Sequence, residues 1–161
     1  MAQVFLLLGS NLGDRKTHLR NACNAIESEA GEIQKQSKIY ETEPWGYQSK
    51  LKYLNQVILI HTNYTPNELL IKIHKIEKNM GRIRNSISYS DRTIDIDILF
   101  FDDIIISEND LQIPHPRLHE RKFTLIPLCE IAPDFMHPVL EKKIITLLRL
   151  CKDETTTNRA F

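Results

Sequence analysis

The stretch Asp91-Arg92-Thr93-Ile94-Asp95-Ile96-Asp97-Ile98-Leu99-Phe100 constrains this chain more than any other. Its alternation admits a strand and excludes a helix, because successive strand side chains project to opposite faces. Ile94, Ile96 and Ile98 then share one face, and Asp95 and Asp97 share the other. Aspartate is depleted from strands, and carboxylates two positions apart stand roughly 7 Å from each other, so they repel unless a cation lies between them. A divalent cation is the simplest such partner. Magnesium takes one or two carboxylates and leaves its other positions to water and phosphate oxygens. The stretch therefore reads as a metal and phosphate site on a strand. The plainer alternative is an amphipathic strand with a solvated polar face.

With 161 residues the chain is expected to form one domain, large enough to bury a core without disulfides or a structural metal. Lys+Arg and Asp+Glu both number 21, so no global field recruits nucleic acid or an anionic membrane. Phosphate recognition must then come from local groups such as Arg82, Arg84 and Arg92. Cys23, Cys129 and Cys151 are an odd number without a C-x-x-C pair and fall among apolar neighbours, as reduced filler in a cytoplasmic protein would. The start, Met1-Ala2-Gln3-Val4-Phe5, lacks the basic segment and apolar run of a signal peptide, and no run approaches a membrane span. A soluble cytoplasmic protein is the expectation.

Residues 3–8 form a continuous apolar run ending at Gly9, which predicts a central strand. Gly9 to Arg15 then makes a turn into a helix whose positions Leu19, Ala22, Cys23 and Ile26 recur at helical spacing and which Gly31 closes. Such a turn can offer backbone N–H groups to an anion, but it matches no phosphate-loop pattern and reads first as a connection. Residues 33–42 predict a polar edge strand. The loop Thr42-Glu43-Pro44-Trp45-Gly46-Tyr47 carries the only tryptophan, either packed on the core or covering a flat ligand. Alternation over residues 53–61 puts Tyr53, Asn55, Val57 and Leu59 on one strand face. The Asn55 amide suits a heterocycle edge or, more plainly, a neighbouring loop backbone.

Thr65-Pro66-Asn67-Glu68 has capping-box spacing with proline at the first helical position, so a helix starts there. Leu69, Leu70, Ile73, Ile76 and Met80 form its buried stripe and Gly81 its stop. Leu70, His74 and Glu77 make a second stripe beside the first, in which His74 and Glu77 read as a solvated boundary. Residues 82–91 are a polar connection long enough to close over a substrate. Arginines 82, 84 and 92 bracket the two aspartates, and cations beside metal-binding carboxylates are what phosphoryl chemistry needs. Asp102-Asp103 predicts a turn that folds Ile104-Ile105-Ile106 back on the aspartate strand as a hairpin. The run from Ile113 to Phe123 is an extended proline segment entering a helix. His115 and His119 lack a third ligand for zinc, and His115 and Arg121 are candidates for phosphate contacts. Phe123 reads as core or as a stacking surface. Ile144 to Cys151 predicts a last helix, and residues 152–161 a frayed tail.

Taken in order, Leu8-Gly9-Ser10-Asn11-Leu12-Gly13-Asp14-Arg15, Tyr53-Leu54-Asn55, Ile76-Glu77 with Gly81-Arg82, Arg92-Thr93-Ile94-Asp95-Ile96-Asp97, Pro114-His115-Pro116-Arg117, and Pro127-Leu128 with Glu130-Ile131-Ala132-Pro133 resemble the 6-hydroxymethyl-7,8-dihydropterin pyrophosphokinases of folate biosynthesis. The resemblance implies an α+β fold, a ferredoxin-like antiparallel sheet flanked by helices, spanning residues 1–161 as one pyrophosphokinase domain. It implies transfer of the terminal diphosphate of ATP to the hydroxymethyl oxygen of a reduced pterin, releasing AMP. Asp95 and Asp97 would hold two Mg2+ ions, and Arg82 and Arg92 would be catalytic, stabilising charge on the transferred group. Arg84, His115 and Arg121 would grip phosphates, while Leu70, His74, Glu77 and Ile98 would line the nucleotide pocket. The pterin would meet Tyr53, Asn55 and Phe123, with Thr42, Pro44 and Trp45 lending backbone contacts and Tyr89 closing in. Asp97 or a metal-held water would accept the hydroxyl proton.

The chain departs from the family pattern at His74, where glutamine is common, at Tyr89, where tryptophan is usual, at Ser88, where a basic residue is frequent, and at Ser90-Asp91, in place of Gly-Pro. ATP and a reduced pterin are the implied partners of a monomer. Neither nucleic acid nor membrane is expected. An RNA-binding domain of the same strand order would put basic and aromatic residues where this chain has two aspartates. A non-catalytic relative would lack one of those acids or Arg82.

Overall fold

The computed structural model describes residues 1–44, 50–81 and 93–161. Trp45, Arg82, Arg84, Tyr89 and Arg92 therefore lie outside the described residues, as do Ser88, Ser90 and Asp91. The apolar run folds as strand β1 (Ala2–Ser10), buried from Val4 onward, and leads to helix α1 (Arg15–Glu29). Asp14 caps that helix by accepting the Thr17 N–H, and Leu19, Ala22, Cys23 and Ile26 are its buried face, as their spacing predicts.

Two short strands follow, β2 (Glu32–Gln36) and β3 (Tyr40–Thr42), before β4 (Tyr53–Thr62). The single polar strand expected over 33–42 is thus divided. Ser37 causes the break: it exchanges bonds with Val57 through its N–H and its Oγ, and turns its hydroxyl onto the Lys38 carbonyl. Helix α2 (Pro66–Asn79) starts with the complete Thr65–Glu68 capping box. Strand β5 (Asp95–Phe101) carries the aspartates. A small hairpin, β6 (Ile106–Ser107) with β7 (Gln112–Ile113), comes next, then α3 (Lys122–Ile131), α4 (Ile144–Leu150) and β8 (Thr157–Arg159).

Among the described residues one antiparallel sheet runs in the order β5-β1-β4-β3-β8, and β2 shares one side of β4 with β3. This is the ferredoxin-like α+β arrangement, with a helix returning between β1 and β4 and another between β4 and β5. Two expectations fail. Residues 104–106 do not pair back on β5; Ile104 and Ile105 are exposed, and Ile106 pairs with Ile113. Nor is the chain's end frayed throughout, because residues 157–159 add β8 to the edge of β3.

Both sheet faces are covered. Leu6, Leu8, Leu54, Ile58, Ile96 and Ile98 pack beneath α1 and α2, while Leu7, Val57, Leu59, Leu99 and Phe100 meet α3 and α4. The strand β5 carries one surplus residue. Phe5 faces Phe100 but Leu6 faces Ile98, so Leu99 is bulged out of register. Leu99 and Phe100 consequently enter the same core. Phe5 and Phe100 pack around Phe135, and His137 stands edge-on to Phe100 with ring centroids 5.4 Å apart.

His137 is buried, and its Nδ1 accepts the N–H groups of Val139 and Leu140. Burial, with a smaller push from His119, lowers its pKa to about 4. The neutral ring is the one the loop needs. Because the folded value lies below the unfolded one, stability from this group is complete above about pH 6.5 and is lost as pH falls towards 4. The expected loss is on the order of 2–3 kcal/mol. His137→Asn keeps an acceptor without titrating, and its urea-unfolding free energy should fall less between pH 7 and 4 than the wild type's.

Candidate active site

Registers across the sheet assemble the site. Gly9 of β1 lies opposite Asp95 on one side and Asn55 on the other, and Asn55 lies opposite Tyr40. Opposed residues of antiparallel strands project to the same face, so Asp95, Gly9 and Asn55 form one row. Asp97, Leu7 and Val57 form the adjoining row, with its apolar members in the α3-side core. At about 4.8 Å per strand, Asp95 and Asn55 are roughly 10 Å apart with only a glycine between them. A Cβ on Gly9 would stand 3.2 Å from Asn55 Oδ1 and 3.6 Å from the Tyr53 ring. The missing side chain leaves a floor between an acid and an amide.

Asn55 is 3% exposed, and its Nδ2 is buried with no hydrogen-bond partner among the described residues. A buried donor left unmade costs on the order of 1–3 kcal/mol, which marks it as a place for a ligand acceptor. Asp95 and Asp97 are only half-buried. Their side-by-side presentation on one open face suits a hard cation that keeps water and phosphate oxygens.

The roof of this face comes from the segment entering α3. His115 donates its backbone N–H to the Leu99 carbonyl, so the bulge of β5 anchors it. Its Nδ1 accepts the Arg117 N–H at 3.2 Å, which assigns the proton to Nε2. Burial above all, then the Arg121 charge, hold its pKa near 4 against the opposing pull of Asp95. His115 is therefore a neutral donor at pH 7. Arg121 is buried, and its guanidinium lies 5.5 Å from the centroid of the half-buried Phe123 ring.

A cleft of about 260 Å³ opens beside Asp97. Leu70 and His74 of α2, Ile98 of β5 and His115 line it, which brings four of the predicted nucleotide residues together. Asn109, Asp110, Leu111 and Gln112 of the β6–β7 turn also line it and were missed in the sequence reading. Asn109-Asp110 between apolar strands was the available signal.

Other candidates sit apart from these two groups. Glu77 does not line the cleft: it is 1% exposed, and its Oε2 accepts the Ile96 N–H at 3.0 Å, so the solvated boundary expected of it is wrong. Thr42 spends its hydroxyl on the Thr156 carbonyl at 3.0 Å and touches Thr157 Oγ1, and in the sheet it lies opposite Tyr53 of β4 and Thr157 of β8. Pro44 and Tyr53 are half-buried at the two ends of residues 45–52. Glu130 of α3 was overlooked as well; it accepts the Tyr40 hydroxyl and the Lys38 N–H, fastening α3 to β3.

Residues 5–133 match the 7,8-dihydro-6-hydroxymethylpterin-pyrophosphokinase (HPPK) family. The chain belongs to this family. As an HPPK it is 42% identical over 144 residues to the 2-amino-4-hydroxy-6-hydroxymethyldihydropteridine pyrophosphokinase of Aquifex aeolicus, covering 89% of each chain. It is 43% identical over 130 residues to the protein of the same name from Bacillus subtilis, covering 80% of this chain and 77% of that one. A solved structure of Plasmodium falciparum HPPK-DHPS aligns over 92% of this HPPK chain with a TM-score of 0.77 at 19% identity, a likeness of fold. This chain spans 43% of that longer one. No helix among the described residues is long and apolar enough to cross a membrane.

Proposed function

We propose that the face built from Asp95, Gly9, Asn55 and the start of α3 performs the family's reaction. In it the hydroxymethyl oxygen of 6-hydroxymethyl-7,8-dihydropterin attacks the β-phosphorus of ATP, the diphosphate is transferred and AMP leaves. The chain is an ATP-dependent diphosphotransferase of folate biosynthesis. The observation that carries the residue assignment is the row itself. It offers Asp95, with Asp97 of the adjoining row beside it, for a metal-polyphosphate at one end and a buried amide N–H without a partner among the described residues at the other, across a floor that lacks a side chain.

Asp95 and Asp97 would hold two Mg2+ ions, since both residues are only partly buried on one strand face and Asp97 lines the cleft. Bound magnesium would neutralise the polyphosphate and withdraw charge from the phosphorus under attack. Asn55 orients the pterin by hydrogen bonding to its polar edge, and Phe123 offers a ring to stack on it, backed by Arg121. Tyr53, with the backbone of Thr42 and Pro44, closes that end. His115 donates through Nε2 to a phosphate oxygen, and Leu70, His74 and Ile98 hold the nucleotide. Arg84 and Arg121 add phosphate contacts, and Arg82 and Arg92 stabilise the migrating charge. Trp45 and Tyr89 complete the pterin side. Such chemistry is mainly positioning and charge stabilisation.

A monomer in the cytoplasm is the proposed state. Cys23, buried and pushed up to about 11, suits a reducing compartment. The deciding assay supplies ATP, magnesium and hydroxymethyl-dihydropterin and follows the nucleotide product. AMP with the pterin diphosphate is expected; ADP, or no turnover, would overturn the reaction.

A further inference from the structure

Glu77 stands where a carboxylate costs most and holds a group that nothing else in the sheet reaches. It projects from α2 one turn after Ile73, a fully buried residue of the core beneath that helix. It is 1% exposed. Among the described residues β5 ends the sheet on this side, so alternate N–H groups point away from β1 to where no further described strand lies. One of these belongs to Ile96, the residue between Asp95 and Asp97, and Glu77 Oε2 accepts it at 3.0 Å.

We infer that Glu77 is a positioning residue for the acid pair: it completes the outer edge of β5 at Ile96 and so fixes the backbone from which Asp95 and Asp97 project. The helix that carries it is anchored by Leu69, Ile73 and Ile76, all 1% exposed or less. The edge of the strand is thus tied to a rigid body. Both acids move together if Ile96 moves, and displacements near 1 Å at a reacting centre cost about a hundredfold in rate. The role differs from the nucleotide contact that the family resemblance implies for this position. Its relevance to catalysis rests on the proposed reaction; the clamp itself does not.

The test compares Glu77→Gln, which keeps an acceptor in place, with Glu77→Met, of similar length and without one. In metal-free protein, amide exchange at Ile96 should quicken at least about tenfold in E77M, stay within a few-fold of wild type in E77Q, and leave Leu6 and Ile58 unchanged. The magnesium concentration for half-maximal rate should rise in E77M and return towards the wild-type value in E77Q, with the KM for pterin unmoved in both. Unchanged exchange at Ile96 in E77M would overturn the inference. So would an E77Q variant that keeps Ile96 protected yet binds ATP as weakly as E77M, because Glu77 would then touch the nucleotide. Should Leu6 and Ile58 also lose protection, E77M has unfolded, and Glu77→Asp, one methylene short, must lose protection at Ile96 alone. If the wild type releases no AMP, the reaction is wrong, and exchange at Ile96 still decides the clamp.

Discussion

Asp97→Ala is expected to lower kcat by about a thousandfold or more, the scale of losing one electrostatic element aimed at the transition state. The fold should not suffer. Asp97 is only partly buried on its strand face, so its removal opens no cavity in the core. The stability change should stay within about 1 kcal/mol, as for other partly exposed charges. Urea unfolding and AMP release, measured on the same preparation, separate the two effects. A variant that turns over at a near-normal rate would remove Asp97 from the metal site. One that melts far below the wild type would make it a structural acid.

Asn55→Ala should act at the other end of the row. Its Nδ2 has no partner among the described residues, so the change removes no Nδ2 bond there, whereas a bound pterin loses its reader. The KM for the pterin should rise by about 10- to 100-fold, equivalent to roughly 1.4–2.7 kcal/mol, with the KM for ATP nearly constant. Equal rises for both substrates would show that the amide supports the whole face rather than one ligand. A large fall in stability with little change in KM would make Asn55 a core residue that borrows its donor's partner from elsewhere.

Much of this arrangement was legible in the chain, for identifiable reasons. The alternation of residues 94–98 fixes which side chains share a face, and the Thr65–Glu68 capping box fixes where α2 begins. Periodicity also placed Leu19, Ala22, Cys23 and Ile26 inside. The failures have a common physical origin in contacts distant along the chain. Strand β8 is polar and short, and only its partner β3, more than a hundred residues earlier, makes it a strand. The break at Ser37 depends on Val57, and the β6–β7 pairing competes with a hairpin that local sequence would equally allow. Glu77 misled for another reason. It follows Ile73 by one helical turn and so occupies the buried stripe, but its charge argued for the surface until its backbone partner at Ile96 was known. Arg82, Arg84 and Arg92 carry the weight of their sequence context alone.

The surplus residue at Leu99 lets one strand obey two patterns. Upstream of it, alternation delivers acids to the open face; downstream, the phase is reset so that Phe100 enters the same side as Leu99 and joins the aromatic cluster with Phe5 and Phe135. The count of residues separating Asp97 from Phe100 is therefore itself a functional quantity. Shortening it by one would restore unbroken alternation with Phe100 still on the side of Asp97, and what the strand would lose is the Leu99 side chain in the core and the carbonyl that anchors His115.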